Sequence, residues 1–390
     1  MNNIAVYTIT SGLHDNVAVS QISDNFLKAV FPGEIPTYDL YLQDFSTFGT
    51  HLLDLIYVRT GGAENTFKEL LPGLLAKGTK KFYLLTSGLS NSLAASLEIL
   101  SYLKQQGLDG EVLHGPEDYL CYKVDVLMRA RVAKFNLKNH KLGVIGQPSD
   151  WLIASKADAV AVKERLGATI EDIPMEELVN TINSEPLPMD SFQGAERILN
   201  ALGKIVQNHG LTALTLRCFD LITQVQNTGC LALAALNSTG VPSSCEGDVP
   251  ALLSMLISYA AVGVSGFQAN PARINTQTGE ILFAHCTVPF NMTKSYEYTT
   301  HFESGIGVGI HGELPEGPVT VFKVSGDLKR SFIAQGKLVR NQYEPNLCRT
   351  QVLVKLEPAD AKYFLTDPIG NHHIVIPGHC ADLLEAIVKE

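Results

Sequence analysis

The 390-residue sequence contains no C-x-x-C pair, and its seven cysteines are odd in number and scattered. This excludes a paired thiolate zinc site and argues against a disulfide framework. The cysteines read instead as buried thiols in a reducing cytoplasm. There is no G-x-G-x-x-G between a strand pattern and a helix pattern, and no G-x-x-x-x-G-K-[ST] at all, so a dinucleotide or P-loop nucleotide site is excluded. Positive charge is short as well. With 30 Lys+Arg against 40 Asp+Glu the net charge is −10, which disfavours nucleic acid and anionic membranes as partners. No apolar run reaches the roughly eighteen residues of a membrane span. Met1 leads directly into IAVYTI without a basic n-region or a cleavage signature, so a cytoplasmic protein is expected.

What remains is the composition of an ordinary globular protein, 45% hydrophobic and 18% charged, with no low-complexity tract. The length calls for two or three domains. Residues 1–136 alternate short β-rich runs (IAVYTI, DLIYVRT, KFYLLT, GEVLHG) with amphipathic helical segments, the signature of a doubly wound parallel sheet. Gly61-Gly62 and Ser87-Gly88 follow two of these strands, either as tight βα turns or where such sheets meet a ligand. PEDYLCYKVDVLMRARVAKFNLKNH reads as a helix leading into a second α/β domain over 137–262. From 263 to 390 the texture changes to short strands bounded by Gly, Pro, Asn or Asp, which predicts a β-rich, barrel-like domain. The fold class is therefore α/β, with two doubly wound domains and a barrel-like C-terminal domain. GIGVGIHG has G-x-G spacing but is followed by the strand pattern VTVFKV, so it reads as a bulge or barrel bend.

The stretch from Asn237 to His285 concentrates polar residues at the ends of apolar elements. Asp248 precedes Pro250 and a strongly apolar helix, so it reads as an N-cap. Glu246 lies upstream of that cap and gains nothing from the helix. It is either an exposed loop residue or the partner of a cation. Among the histidines, His285 ends an apolar strand. His301 and Glu303 stand at strand spacing, on one face, as candidates for substrate contact or proton transfer. His372 and His373 are adjacent, so a strand would turn them to opposite faces. Arg273 and Arg349 either cradle an anionic substituent, through guanidinium pairing with carboxylate, sulfonate or phosphate, or form surface salt bridges.

CEGDVPALLSMLI, FQANPARI, FAHCTVP, HFESGIGVGIHG and GNHHIVIPGH together resemble the C-terminal halves of the L-fucose isomerase and L-arabinose isomerase superfamily, over roughly residues 210 to 390. The resemblance implies a divalent cation, usually manganese, held by Glu246, His285 and His373, with His372 supporting the turn or the ligands. It places the family's second acidic ligand at Asn270, a neutral residue that offers an oxygen but takes up no proton. It also implies aldose–ketose isomerisation through an ene-diol, on a deoxyhexose, a pentose or an anionic sugar such as a sulfonated hexose. In such chemistry a carboxylate or imidazole moves the proton between C2 and C1. Glu246 is expected to act with a second carrier, for which Glu303, His301 and Asp248 are the candidates, while Asn270, Arg273 and Arg349 are expected to contact substrate. A metal-dependent lyase or epimerase, or a sugar-binding relative without turnover, remains the alternative. The resemblance further implies a homo-oligomer, a hexamer or trimer, with the first domain of one chain covering the site of the next.

Overall fold

The computed structural model of the protein describes residues 3–14, 16–40 and 46–389. Met1 and Glu390, which begin and end the outermost segments read from the sequence, lie outside them. The chain divides into two compact units, Met1–Val132 and Ala133–Glu390.

In the first unit β1 (Ile4–Ile9), α1 (Asn16–Val30), β2 (Thr37–Asp39), β3 (Leu53–Val58), α2 (Glu64–Leu75), β4 (Lys81–Leu85), α3 (Ser92–Gln105) and β5 (Asp109–Leu113) build a five-stranded sheet in the order β2-β1-β3-β4-β5. Every pairing is parallel. Ala5, Val6, Tyr7, Leu55, Ile56 and Leu84 are almost wholly buried, because helices cover both faces of such a sheet and leave no strand face for water. Gly62 and Gly88 have φ of +79° and +80°, the left-handed turns that a glycine makes without a steric cost. α4 (Glu117–Leu137) carries the chain across the division.

The second unit begins with β6 (Lys141–Ile145), α5 (Ala159–Leu166), β7 (Thr169–Ile173), α6 (Met175–Asn183), α7 (Ser191–His209), β8 (Ala213–Leu216), α8 (Phe219–Gln224), α9 (Cys230–Ser238) and β9 (Ser243–Cys245). Its four strands pair in parallel in the order β7-β6-β8-β9. The alternating run LTALTLRCFDLI is split between β8 and α8, since the helix begins as soon as the strand leaves the sheet. α10 (Val249–Val262) follows β9. It is buried on every side from Val249 to Ser258 and packs against β8 and β9 as well as against the barrel strands described next. Full burial of Leu252, Leu253, Leu256 and Ile257 contributes about 1.5–3 kcal/mol each.

The remainder is β-rich: β10 (Phe267–Asn275), β11 (Glu280–His285), β12 (Ser295–Thr299), β13 (Gly309–Glu313), β14 (Gly317–Val324), β15 (Ser331–Asn341), β16 (Thr350–Lys355), α11 (Pro358–Thr366), β17 (His373–Pro377) and α12 (Ala381–Lys389). Six of these strands close an antiparallel barrel, β10-β11-β16-β15-β14-β17, while β12 and β13 form a separate ribbon. Phe267, Ala269, Ile281, Phe283, Val321, Phe332, Val352 and Val375 belong to the barrel's core, the inward half of each period-two alternation. Closure leaves these six strands with no free edge. Among the described residues no helix is long and apolar enough to cross a membrane.

Candidate active site

The site grows from the turn between β9 and α10. Glu246 and Gly247 both have left-handed backbones, at φ of +65° and +71°, an arrangement that costs a non-glycine residue about 1–2 kcal/mol. A Cβ on Gly247 would stand 2.4 Å from the carbonyl oxygen of Gln147, so only glycine admits the loop after β6 at this point. That loop is tied to the turn by the Ser149 N–H, which donates to the Glu246 carbonyl at 2.9 Å. Asp248 then caps α10, accepting from the Ala251 N–H at 2.8 Å, as its place before Pro250 predicts.

The Glu246 carboxylate is held at both oxygens. Oε2 accepts from Trp151 Nε1–H at 2.6 Å, and Oε1 lies 3.4 Å from His372 Nε2. His372 is fully buried, and its Nδ1–H donates to Asp248 Oδ2 at 2.8 Å. Asp248 is itself fully buried, with Lys323 Nζ from β14 at 3.4 Å from both of its oxygens. His285, at the end of β11, is hydrogen-bonded through Nδ1 to Thr287 Oγ1 at 2.8 Å and meets the His372 ring edge-on, with centroids 5.4 Å apart. Among the described residues Glu246, His285 and His372 form a group that can hold a metal ion, with one ligand atom from each lying within 4.8 Å of the others.

The protonation pattern follows from burial and charge. Burial pushes the Glu246 carboxyl up, but the close approach and charge of His372 outweigh it and bring it down to about 2. Burial depresses His372, yet the two carboxylates beside it raise it to about 9. Burial, aided by the charge of His372, lowers His285 to about 3, so that ring is neutral. Asp248 resists its burial because of Lys323 and His372 and stays well below the usual carboxylate range. His372 Nε2 is buried and has no hydrogen-bond partner among the described residues, since 3.4 Å to Glu246 is an ion-pair distance without hydrogen-bond geometry. A buried polar atom without a partner costs free energy. With Nδ1 of each histidine engaged, the orphaned nitrogen and the Glu246 oxygen make a donor set that suits a divalent cation.

The structure corrects the expected orientation of the histidine pair: His372, not His373, faces Glu246 and His285. The reason is parity. His373 opens β17 on the same side as Val375 and turns into the barrel core, where it packs against Phe332 and Phe364 and meets the Tyr363 hydroxyl at 3.1 Å. Burial there lowers it to about 3. His301 and Glu303 do not stand on a strand either. They lie in a turn closed by Gly305 N–H donating to the His301 carbonyl at 2.9 Å, with Gly305 and Gly307 at positive φ. The turn still brings both near the cluster. Burial lowers His301, followed by the charge of Arg349, and burial raises Glu303, followed by repulsion from Glu246.

Asn270 on β10 accepts from Asn371 Nδ2 at 2.6 Å. Arg273 is exposed and committed to Glu344 through Nε and Nη2, the surface salt bridge of its two readings. Arg349 donates Nε–H to the Thr300 carbonyl at 2.8 Å, lies over the Phe302 ring, and has no carboxylate partner among the described residues. Trp151, Phe219 and Lys323 were not singled out from the sequence. Trp151 carried one weak signal, its place in the turn after a strand. The Phe219 ring stands edge-on to both Trp151 and His301, at 4.9 and 5.5 Å. Nothing local marks Lys323, which occupies a strand position like any other.

No protein-family model matches the chain. It is similar to the sulfoquinovose isomerase of Clostridium sp. (strain MSTE9), 24% identical over 257 residues that make up 60% of this chain and 56% of that protein. It is also similar to the sulfoquinovose isomerases of Priestia aryabhattai and Priestia megaterium, each 24% identical over 216 residues and 48% of both chains. The chain thus spans about half the length of the curated relatives it matches.

Proposed function

We propose that this chain is an aldose–ketose isomerase of the L-fucose and L-arabinose isomerase superfamily that acts on a sulfonated hexose. Glu246, His285 and His372 would hold a divalent cation, with manganese the ion that the resemblance favours. The observation that carries the reading is the Glu–His–His group, its two histidines buried and one imidazole nitrogen orphaned, joined to relatives named sulfoquinovose isomerases. A cation held by these residues would supply Lewis acidity to a carbonyl and the neighbouring hydroxyl, making the C–H on the hydroxyl-bearing carbon more acidic.

The chain's own residues supply the rest. Glu246 is ionised at neutral pH, which suits a ligand and not a proton reservoir. Asp248 fixes the His372 ring by taking its Nδ1–H and is itself committed to Lys323 and the cap of α10, so it is not free to carry protons. Glu303, whose pKa is raised, and the largely buried His301 remain as carriers. In the proposed step Glu303 removes the proton from C2 and returns one at C1, while the hydroxyl proton at C2 moves to the oxygen on C1 through His301. Arg349, which has no carboxylate partner among the described residues and donates to the Thr300 carbonyl, would face the sulfonate. We further propose that the protein works in the cytoplasm as a closed trimer or hexamer, a proposal that rests on the resemblance alone.

The test is to supply manganese-loaded protein with sulfoquinovose in deuterated water. The expected result is a ketose carrying deuterium at C1. A dehydrated product would identify a lyase, and binding without exchange would identify the sugar-binding relative that the neutral Asn270 raises as a second reading.

A further inference from the structure

Trp151 is the only tryptophan in the chain, and it is 52% exposed. Its neighbours in sequence are fixed. Asp150 pairs with Arg217 at 2.9 Å, Arg217 also binds the Pro148 carbonyl at 2.8 Å, and Leu152 is buried. The indole is thus held out on a braced loop, with its N–H on Glu246 Oε2 and its edge against Phe219, which leads on to His301. Half of a large apolar side chain is left in water at the lip of a cluster of charged and metal-ligating groups. An indole placed in this way has an apolar face to offer and a polar handle already used.

We propose that Trp151 contacts the substrate, its exposed face taking the apolar C–H face of the sugar while its N–H occupies one oxygen of Glu246 and leaves the other for the cation. The proposal rests on the sugar-isomerase reading above and adds a residue to it. Two separable duties follow. The ring contributes to sugar affinity, and the N–H contributes to the cation affinity of Glu246 by fixing the carboxylate. Phenylalanine at this position keeps the first duty and loses the second, whereas alanine loses both.

Because there is no other tryptophan, emission reports on this side chain alone. The probes are Mn²⁺ and the alditol obtained by reducing sulfoquinovose, which cannot isomerise. The alditol is expected to shift or quench the wild-type emission saturably. Trp151→Ala should raise KM for sulfoquinovose tenfold or more. Trp151→Phe should restore KM to within about threefold of wild type while leaving Mn²⁺ affinity several-fold weaker. Ketose formation by the wild type with no emission change on alditol binding, followed by calorimetry, overturns the role of Trp151 and leaves the isomerase reading intact. So does an unchanged KM in Trp151→Ala. An emission change without any ketose overturns the isomerase reading and supports the sugar contact. Absence of both alditol binding and ketose formation in the wild type overturns both readings, and ketose formation without alditol binding overturns the role of Trp151 alone.

Discussion

Asp248→Asn isolates one charge in the buried array behind the cluster. The amide keeps the shape and, with its oxygen on the Ala251 N–H, the cap of α10, since Asn and Asp are equally good at that position; its NH2 then faces His372 Nδ1, so the change removes one charge and one acceptor together. Lys323 is 1% exposed and has Asp248 as its ion-pair partner, and stranding one member of a buried ion pair costs about 3–5 kcal/mol. That is a large part of the roughly 5–15 kcal/mol that separates a folded domain from its unfolded chain. With a urea slope of about 3 kcal/mol per M, the midpoint should fall by at least about 1 M. A companion change, Lys323→Met, removes the stranded ammonium. In the double variant Asp248→Asn/Lys323→Met the loss should be smaller than the sum of the two single losses, because neighbours in one network do not add. The His372 resonance, followed by NMR without metal, should titrate lower than in wild type, since one of the two anions holding it near pH 9 is gone. A loss below about 1 kcal/mol, or strict additivity in the cycle, refutes the account of Asp248 as a charge held in place by Lys323.

Glu246→Gln should weaken manganese binding by at least about tenfold, equivalent to roughly 1.4 kcal/mol, and abolish turnover; metal analysis showing full occupancy with a normal rate would remove Glu246 from the cation site. His372→Gln should do the same, whereas His373→Gln, a change inside the barrel, should lower thermal stability and leave metal affinity within about twofold; the reverse pattern would restore the His373 assignment. Below pH 9 a cation must displace the proton from the raised His372 imidazole, so calorimetric metal affinity should rise as pH increases from about 6.5 towards 9. In the metal-free protein the sign is opposite, because stability from the protonated His372 is fully present below its ordinary pKa and is lost as pH rises through about 9; a flat profile in both experiments would contradict the arrangement. Asn270→Asp should preserve metal binding and leave measurable isomerisation, whereas activity that appears only in the variant would make the wild-type protein a binder.

Local chemistry was enough for much of the architecture. Buried alternation in IAVYTI and KLGVI, helices between such strands and Gly-bounded β runs after 263 gave parallel sheets and a barrel, because strand and helix periods are written within a few residues of each other. Asp248 as a cap was legible for the same reason: its partner is the Ala251 N–H, three residues away. Glu246 stood out as a carboxylate without local use. What a sequence leaves open is which long-range partner each side chain meets, and at this site those separations are large: 95 residues from Trp151 to Glu246, 75 from Asp248 to Lys323 and 124 from Asp248 to His372. Sequence adjacency showed that His372 and His373 must part company, but only the register of β17 within the closed barrel decided which one enters the core. The same holds for Arg273 and Arg349. They are alike in sequence, and Glu344 pairs with one of them because the fold brings it across from a segment 71 residues away.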